Sequence, residues 1–228
     1  MRLRALVVVF ALAALSARAD EGRWTKFGRG SWIKVRTTTR LSSEEMVEVT
    51  TFTLAEVTAE SYQLKIEASM GGNALPVEEL RISRTAPGVP EWTWAEAGSE
   101  ELEVGGKPMV CAVRTGTGPD GKSTWKVWEG EIRGEKVEVR SEKSLVVQGV
   151  TRKETSKVTA LDETVTVGQR TLACWVRSTR LEYDGQTVET TLWESGEMPG
   201  RTVKSESRAT AGALPMTSVR EVIEFETK

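Results

Sequence analysis

Apolar and polar residues alternate along most of the chain from residue 31 onward, in short runs separated by turns that contain Gly or Asp. Alternate residues of a β-strand point to the same face of a sheet, so a period of two predicts half-buried strands. The predicted strands cover residues 31–37, 46–54, 62–68, 108–115, 124–128, 136–140, 171–181, 187–193, 201–205 and 219–226. The best helical pattern, residues 76–82 (PVEELRI), predicts no more than one short turn.

Two turns, 119–122 (PDGK) and 183–186 (YDGQ), place Asp-Gly between strand-like runs. Asp-Gly accommodates the positive φ angles of a type I′ turn, so both turns predict β-hairpins. Strands at regular spacing joined by hairpins are typical of an antiparallel sheet, as a barrel, a half-barrel or a sandwich. We expect an all-β fold with minor α content, in which a single curved antiparallel sheet forms a half-barrel or open barrel.

The chain also contains an internal repeat. Residues 104–114 (VGGKPMVCAVR) align with 167–177 (VGQRTLACWVR), and each copy is followed by an Asp-Gly turn and then by a Trp-Glu pair, at Trp128 and at Trp193. Two copies with a long period do not indicate a solenoid. The repeat predicts one β domain over residues 20–228, built from two similar halves at about 30–142 and 143–228.

The first 19 residues have the pattern of a secretory signal peptide. Arg2 and Arg4 precede an apolar run over residues 6–15, and Ala17 and Ala19 flank the small-residue site that predicts cleavage after Ala19. The alternative is a single membrane anchor, but the run is about half of the ~20 residues that a bilayer span needs. We expect a periplasmic or secreted protein with no stable membrane span in the mature chain.

Composition excludes several functions. The chain has no His and a net charge of −2. It therefore has no Ser-His-Asp triad, no His-activated cysteine and no histidine metal site, and it is not a basic nucleic-acid binder. Adjacent glutamates such as Glu44 and Glu45 point to opposite faces of a strand and do not form a catalytic dyad. We expect no enzyme activity, no metal and no cofactor; a hydrolase would need a Ser-Lys or Glu-Glu constellation formed in space.

The two cysteines, Cys111 and Cys174, occupy equivalent positions in the repeat, and each alternates with apolar neighbours. At least two predicted strands lie between theirs, which separates them by roughly 15 Å or more in one sheet. A disulfide needs Cα atoms within about 7 Å. The sequence predicts two buried free thiols, with a disulfide, common in exported proteins, as the alternative.

Three segments carry a family resemblance: residues 30–35 (GSWIKV), 167–176 (VGQRTLACWV) and 193–206, which holds Trp-Glu-Ser and Pro-Gly-Arg-Thr-Val-Lys-Ser-Glu. In this order they resemble the exported bacterial domains of the LolA-like group, which includes lipoprotein carriers. The resemblance implies an open, strongly curved antiparallel sheet around an apolar concavity, in an exported protein. It implies no binding residue, because the matching positions are strand and turn residues.

The eight tryptophans lie in or beside the predicted strands. One interpretation is that these tryptophans pack in the core, because indoles bury a large area. The alternative is that they line a surface that faces a ligand. We expect an exported, non-enzymatic protein that holds a hydrophobic or amphipathic ligand, a lipid or acyl chain, in its curved sheet. The other hypothesis is a structural or protein-interaction module of the cell envelope with a filled core. The candidate ligand-binding residues are Trp92, Trp94, Trp128, Trp175 and Trp193.

Overall fold

A computed structural model describes residues 24–83, 92–147, 149–211 and 214–228. The predicted signal peptide, residues 1–19, lies outside the described residues and stays a prediction. The strands are β1 (Trp32–Leu41), β2 (Glu44–Val57), β3 (Ser61–Met70), β4 (Asn73–Ala74), β5 (Glu78–Ser83), β6 (Thr93–Val104), β7 (Lys107–Thr117), β8 (Thr124–Ile132), β9 (Glu135–Val147), β10 (Val150–Val167), β11 (Arg170–Tyr183), β12 (Gln186–Glu194), β13 (Thr202–Ala211) and β14 (Leu214–Glu226).

All strands belong to one antiparallel sheet with the order β4-β3-β2-β1-β14-β13-β12-β11-β10-β9-β8-β7-β6, and β5 pairs with β3. The sheet is curved but not closed into a barrel, which confirms the predicted fold class. The first and last strands, β1 and β14, are neighbours, whereas the consecutive strands β5 and β6 lie at opposite edges. The described residues contain no helix that could cross a bilayer. The division into two similar halves stays a prediction.

All ten predicted strand segments overlap observed strands. The helical turn predicted over 76–82 is wrong, because residues 78–83 form β5 and pair with β3 from Ser61 to Ile66. The turn at 183–186 is the predicted tight hairpin, with Asp184 at φ 47° and Gly185 at φ 70°. The turn at 119–122 belongs to a wider loop, in which the Asp120 carboxylate accepts hydrogen bonds from the backbone N–H groups of Lys122 and Ser123.

The buried side chains form two clusters. The first contains Trp24, Ile33, Val35, Leu54, Tyr62, Leu64, Val167, Leu172, Cys174, Met198, Val203 and Val222. The second contains Val104, Cys111, Val113, Trp128, Ile132, Val137, Val139, Val158 and Trp175. Cys174 and its neighbour Trp175 belong to different clusters, and adjacent residues on a strand point to opposite faces. At this point β11 is therefore covered by core on both faces.

The pairing of the flanking strands explains this arrangement. The ladder between β9 and β10 ends at the pair Arg140 and Lys157, and the ladder between β13 and β14 ends at Lys204 and Glu221. Beyond these pairs β9 is no longer paired with β10, and β14 is no longer paired with β13. The sheet is thus not a plain trough with one apolar face, since its middle strands lie between two cores.

Both cysteines are buried and free. Cys111 lies on β7 and Cys174 on β11, with β8, β9 and β10 between them, as the repeat predicts. Burial raises the pKa of the Cys174 thiol from 9.0 to about 11, and it also raises the pKa of Cys111. The reactive thiolate is correspondingly scarce in the folded protein.

We expect iodoacetamide to leave both cysteines unmodified in the native protein at neutral pH and to alkylate both in urea. The raised pKa alone lowers the thiolate population of Cys174 about 100-fold, and burial adds a steric barrier. Mass spectrometry of the two samples measures this difference. A native mass lower by two hydrogens, with no alkylation in urea, would show a disulfide instead.

Candidate functional site

Six hydroxyl side chains lie in register across the centre of the sheet, one on each of six neighbouring strands. Each is the direct cross-strand partner of the next, so all six point to the same face. We call them the hydroxyl row, and we call the face that carries them the hydroxyl face. The hydroxyl row consists of Ser156, Thr179, Thr190, Ser207, Ser218 and Thr39.

Hydrogen bonds join members of the hydroxyl row in pairs. The Thr179 hydroxyl donates to Ser156 Oγ at 3.4 Å, Thr190 Oγ1 and Ser207 Oγ lie 3.0 Å apart, and Thr39 Oγ1 and Ser218 Oγ lie 3.4 Å apart. Hydroxyls both donate and accept, so each pair keeps capacity for one further partner. The row is therefore ordered internally and still able to bind a polar group.

An apolar row runs parallel to the hydroxyl row on the same face of five of these strands, displaced from it by two residues on each strand, or about 7 Å. Two of its members are buried and the others are half-buried. The opposite face, which we call the charged face, instead carries exposed Arg and Lys side chains on β1, β10, β11 and β13. The hydroxyl face is thus amphipathic. The apolar row consists of Leu181, Val188, Ala209, Met216 and Leu41.

A buried ion pair lies next to Ser156, the β10 member of the hydroxyl row. Arg177 donates from Nε to Glu194 Oε2 at 2.8 Å and from Nη1 to Ser156 Oγ at 3.3 Å. The same Glu194 oxygen accepts the Trp175 indole N–H at 2.9 Å. Glu138 Oε1 lies 3.7 Å from the guanidinium, and burial raises the pKa of this second carboxyl. The arrangement fixes Arg177 and uses two of its five N–H donors within the protein.

Two of the predicted ligand-binding residues, Trp128 and Trp175, are core residues with exposures of 3% and 1%. The Trp128 indole donates to Glu100 Oε2 at 2.7 Å, and its ring lies beneath Lys126 and Arg140. Hydrogen bonds from Trp128 and Lys126 hold the pKa of Glu100 below its ordinary value. Neither indole is exposed to an open cavity.

The third, Trp193, is half-buried against the first core cluster, and Lys204 Nζ lies 4.7 Å from the centre of its ring. On β12 it pairs with Val176 of β11 and lies between Leu192 and Glu194, which point to the hydroxyl face. Its side chain therefore points to the charged face. The structure does not bring Trp193 together with Trp128 or Trp175 in one lining.

The remaining two, Trp92 and Trp94, form a cluster with Trp125. Ring centres lie 6.2 Å apart for Trp92 and Trp94, 5.8 Å for Trp92 and Trp125, and 5.3 Å for Trp94 and Trp125. A Cβ on Gly116 would approach the rings of Trp92 and Trp94 to 3.1 Å, so the missing side chain lets the indoles pack on the strand. Lys143 Nζ lies 4.2 Å from the centre of the Trp125 ring.

This tryptophan cluster lies in register with the apolar row. Trp125 pairs with Lys143, Lys143 with Glu154, and Glu154 with Leu181. The cluster is therefore on the hydroxyl face, at the β6 edge, and two charged residues separate it from the apolar row. The sequence pattern found Trp92 and Trp94 but not their partner Trp125.

The charged face contains an open groove of about 560 Å³. Arg180 within it pairs with Glu182 at 2.7 Å and with Glu189 at 3.0 Å, and these contacts raise the pKa of the arginine. A lining of charged side chains that already pair with each other does not suit an apolar chain. The groove is lined by Thr155, Ser156, Lys157, Ser178, Arg180, Glu189, Thr190, Thr191, Glu206 and Arg208.

Sequence reasoning missed the hydroxyl and apolar rows. Single Ser and Thr residues carry no recognisable motif, and the rows exist only once the register of six strands is known. A partial signal is present on β13, because Ser205 and Ser207 alternate with the charged residues Lys204, Glu206 and Arg208. Such alternation indicates that one face of a single strand is polar. It does not show that the hydroxyls of neighbouring strands lie in register.

No family model matches the chain, and no curated protein matches it. Among solved structures, it is similar to the hypothetical lipoprotein YmcC from Escherichia coli (K12), at 12% identity and a TM-score of 0.28 over 83% of this chain and 87% of that one. It is also similar to a DUF1329 family protein from Desulfovibrio piger ATCC 29098, at 10% identity and a TM-score of 0.32 over 94% and 90%. Similarity at this level carries no functional information, and the LolA-like resemblance stays a prediction.

Proposed function

We propose that the chain is an exported, non-enzymatic binding protein that holds an amphipathic ligand, a lipid or acyl chain, against its hydroxyl face. The observation that carries this proposal is the apolar row lying directly beside the hydroxyl row on five of its six strands. Ligand sites are mostly apolar with a few polar groups that fix orientation. Export is supported by the signal-like pattern of residues 1–19.

A binding role also fits the chemistry of the side chains. The thiols of Cys111 and Cys174 are buried and have raised pKa values, which makes them weak nucleophiles. Within the described ranges, no three His, Cys, Asp or Glu side chains come close enough to share a metal ion. The hydroxyls of the row bond to each other in pairs.

The test is a titration with dodecanoate, followed by tryptophan emission, together with mass spectrometry of lipids that co-purify with the protein. Trp125 points to the hydroxyl face, in register with the apolar row, and should report binding there. We expect Val188→Asp to abolish the emission change, because it places a charge in the apolar row. Thr187→Asp is the matched control, since its neighbouring position on β12 points to the charged face.

An unchanged emission spectrum with no co-purified lipid would count against the proposal, as would a Val188→Asp variant that binds like the wild type. The second candidate, a structural or protein-interaction module of the envelope, is favoured by one observation. Two core clusters fill both faces of β11 around Cys174 and Trp175. Such a module would be folded, would show no change in tryptophan emission with dodecanoate, and would carry no co-purified lipid.

A further inference from the structure

Arg220 lies on the hydroxyl face of β14, between its cross-strand partners Ser205 on β13 and Thr37 on β1. It is half-buried. Along the same strand and face, Ser218 of the hydroxyl row is two residues away and Met216 of the apolar row four residues away, roughly 13 Å at about 3.3 Å per residue. The guanidinium is thus placed on the same face as both rows.

Arg220 differs from Arg177, the other arginine at this level of the hydroxyl face. Arg177 is fixed by Glu194 at 2.8 Å and Ser156 at 3.3 Å. Within the part of the chain that the structure describes, no carboxylate forms an ion pair with Arg220, and its guanidinium carbon lies 5.7 Å from the centre of the Phe52 ring. Glu48 lies one strand beyond Thr37, and its carboxylate accepts the Thr50 hydroxyl at 2.6 Å.

Among the described residues, no carboxylate lies within ion-pair distance of this guanidinium. Burial lowers the pKa of Arg220, and the charge of Glu48 opposes that effect only in part. An arginine stays charged in proteins, so the loss of hydration has to be offset by an anion or by hydrogen-bond acceptors. The planar fork of donors matches a carboxylate or phosphate, and the hydroxyls of Ser205 and Thr37 can donate to the same oxygens.

We propose that Arg220 binds the anionic head group of the ligand, so that this protein takes an amphiphile with one carboxylate or phosphate at the end of an apolar chain. This inference rests on the proposed function. With the head group at Arg220, the chain extends past Ser218 toward Met216 and its neighbours in the apolar row. The paired hydroxyls of Thr39 and Ser218 satisfy each other, which reduces the cost of laying methylenes over them.

The test compares dodecanoate, dodecyl phosphate and neutral dodecanol on the wild type and on three variants. Arg220→Gln should weaken both anionic ligands roughly tenfold to a hundredfold and leave dodecanol unchanged, as expected for lost charge-assisted hydrogen bonds. Arg220→Lys should retain part of the preference, because the charge remains. Arg208→Gln is the matched control, since Arg208 is an exposed arginine on the charged face of β13.

The pattern of results separates the two proposals. If all three ligands bind the wild type and Arg220→Gln changes none of the affinities, the head-group assignment is overturned and the proposed function stands. If none binds the wild type, both are overturned. Circular dichroism and urea midpoints show whether Arg220→Gln is folded, and the charge-retaining lysine variant supplies the answer if the glutamine variant is not. Preference of one anion over the other identifies the head group.

Discussion

Replacing Glu194 by alanine is expected to lower the free energy of unfolding by about 3–5 kcal/mol. Glu194 is 1% exposed, and one of its oxygens accepts both the Arg177 Nε–H and the Trp175 indole N–H. Removing the carboxylate leaves a buried guanidinium without its closest counter-charge, and Glu138 at 3.7 Å replaces it only in part. Urea unfolding followed by circular dichroism measures the loss.

The matched control is Glu189→Ala on the same strand. Glu189 also pairs with an arginine, Arg180 at 3.0 Å, but both side chains are more than half exposed. Exposed ion pairs contribute about 0–1 kcal/mol, so this variant should unfold close to the wild type. If both variants lost the same free energy of unfolding, burial would not be the reason that the Glu194 ion pair stabilises the fold.

Replacing Leu54 by alanine is expected to cost about 2–5 kcal/mol. Leu54 is fully buried on β2, pairs with Leu64 on β3, and belongs to the first core cluster. The cost combines the lost apolar burial with a cavity that the surrounding strands fill only partly. The same urea experiment measures it.

Val47→Thr is the control on the same strand, because Val47 is 37% exposed and threonine keeps the β-branched shape. We expect a change within about 0.5 kcal/mol. A Leu54→Ala variant as stable as the wild type would mean that the first core cluster does not stabilise the fold.

The sequence predicts the class of fold because ten strands expose one face and bury the other. It misses β6 and β10 for different physical reasons. The edge strand β6 is exposed along nearly all of its length, so no apolar period marks it, and its glutamates keep an unpaired edge soluble. β10 is interrupted by bulges around Ala160, each of which shifts the alternation of side chains.

The candidate site is less accessible to sequence reasoning than the fold. Trp128 and Trp175 are candidate ligand contacts in the sequence because their side chains are large. In the structure their indoles are buried and donate hydrogen bonds to Glu100 and Glu194. Arg220 is one of many arginines in the sequence, and nothing local distinguishes it. Its lack of an ion pair with any carboxylate of the described residues depends on strands that are far apart in the chain, and only the register of the sheet reveals it.

The placement of β5 and β6 at opposite edges limits how far the sheet can open. Twelve inter-strand steps separate them, which would be about 58 Å in a flat sheet. The chain from Ser83 to Thr93 has ten peptide links and reaches at most about 36 Å. The number of links alone sets an upper limit on the distance between the two margins of the sheet, and cleavage of the chain between Ser83 and Thr93 would remove that limit.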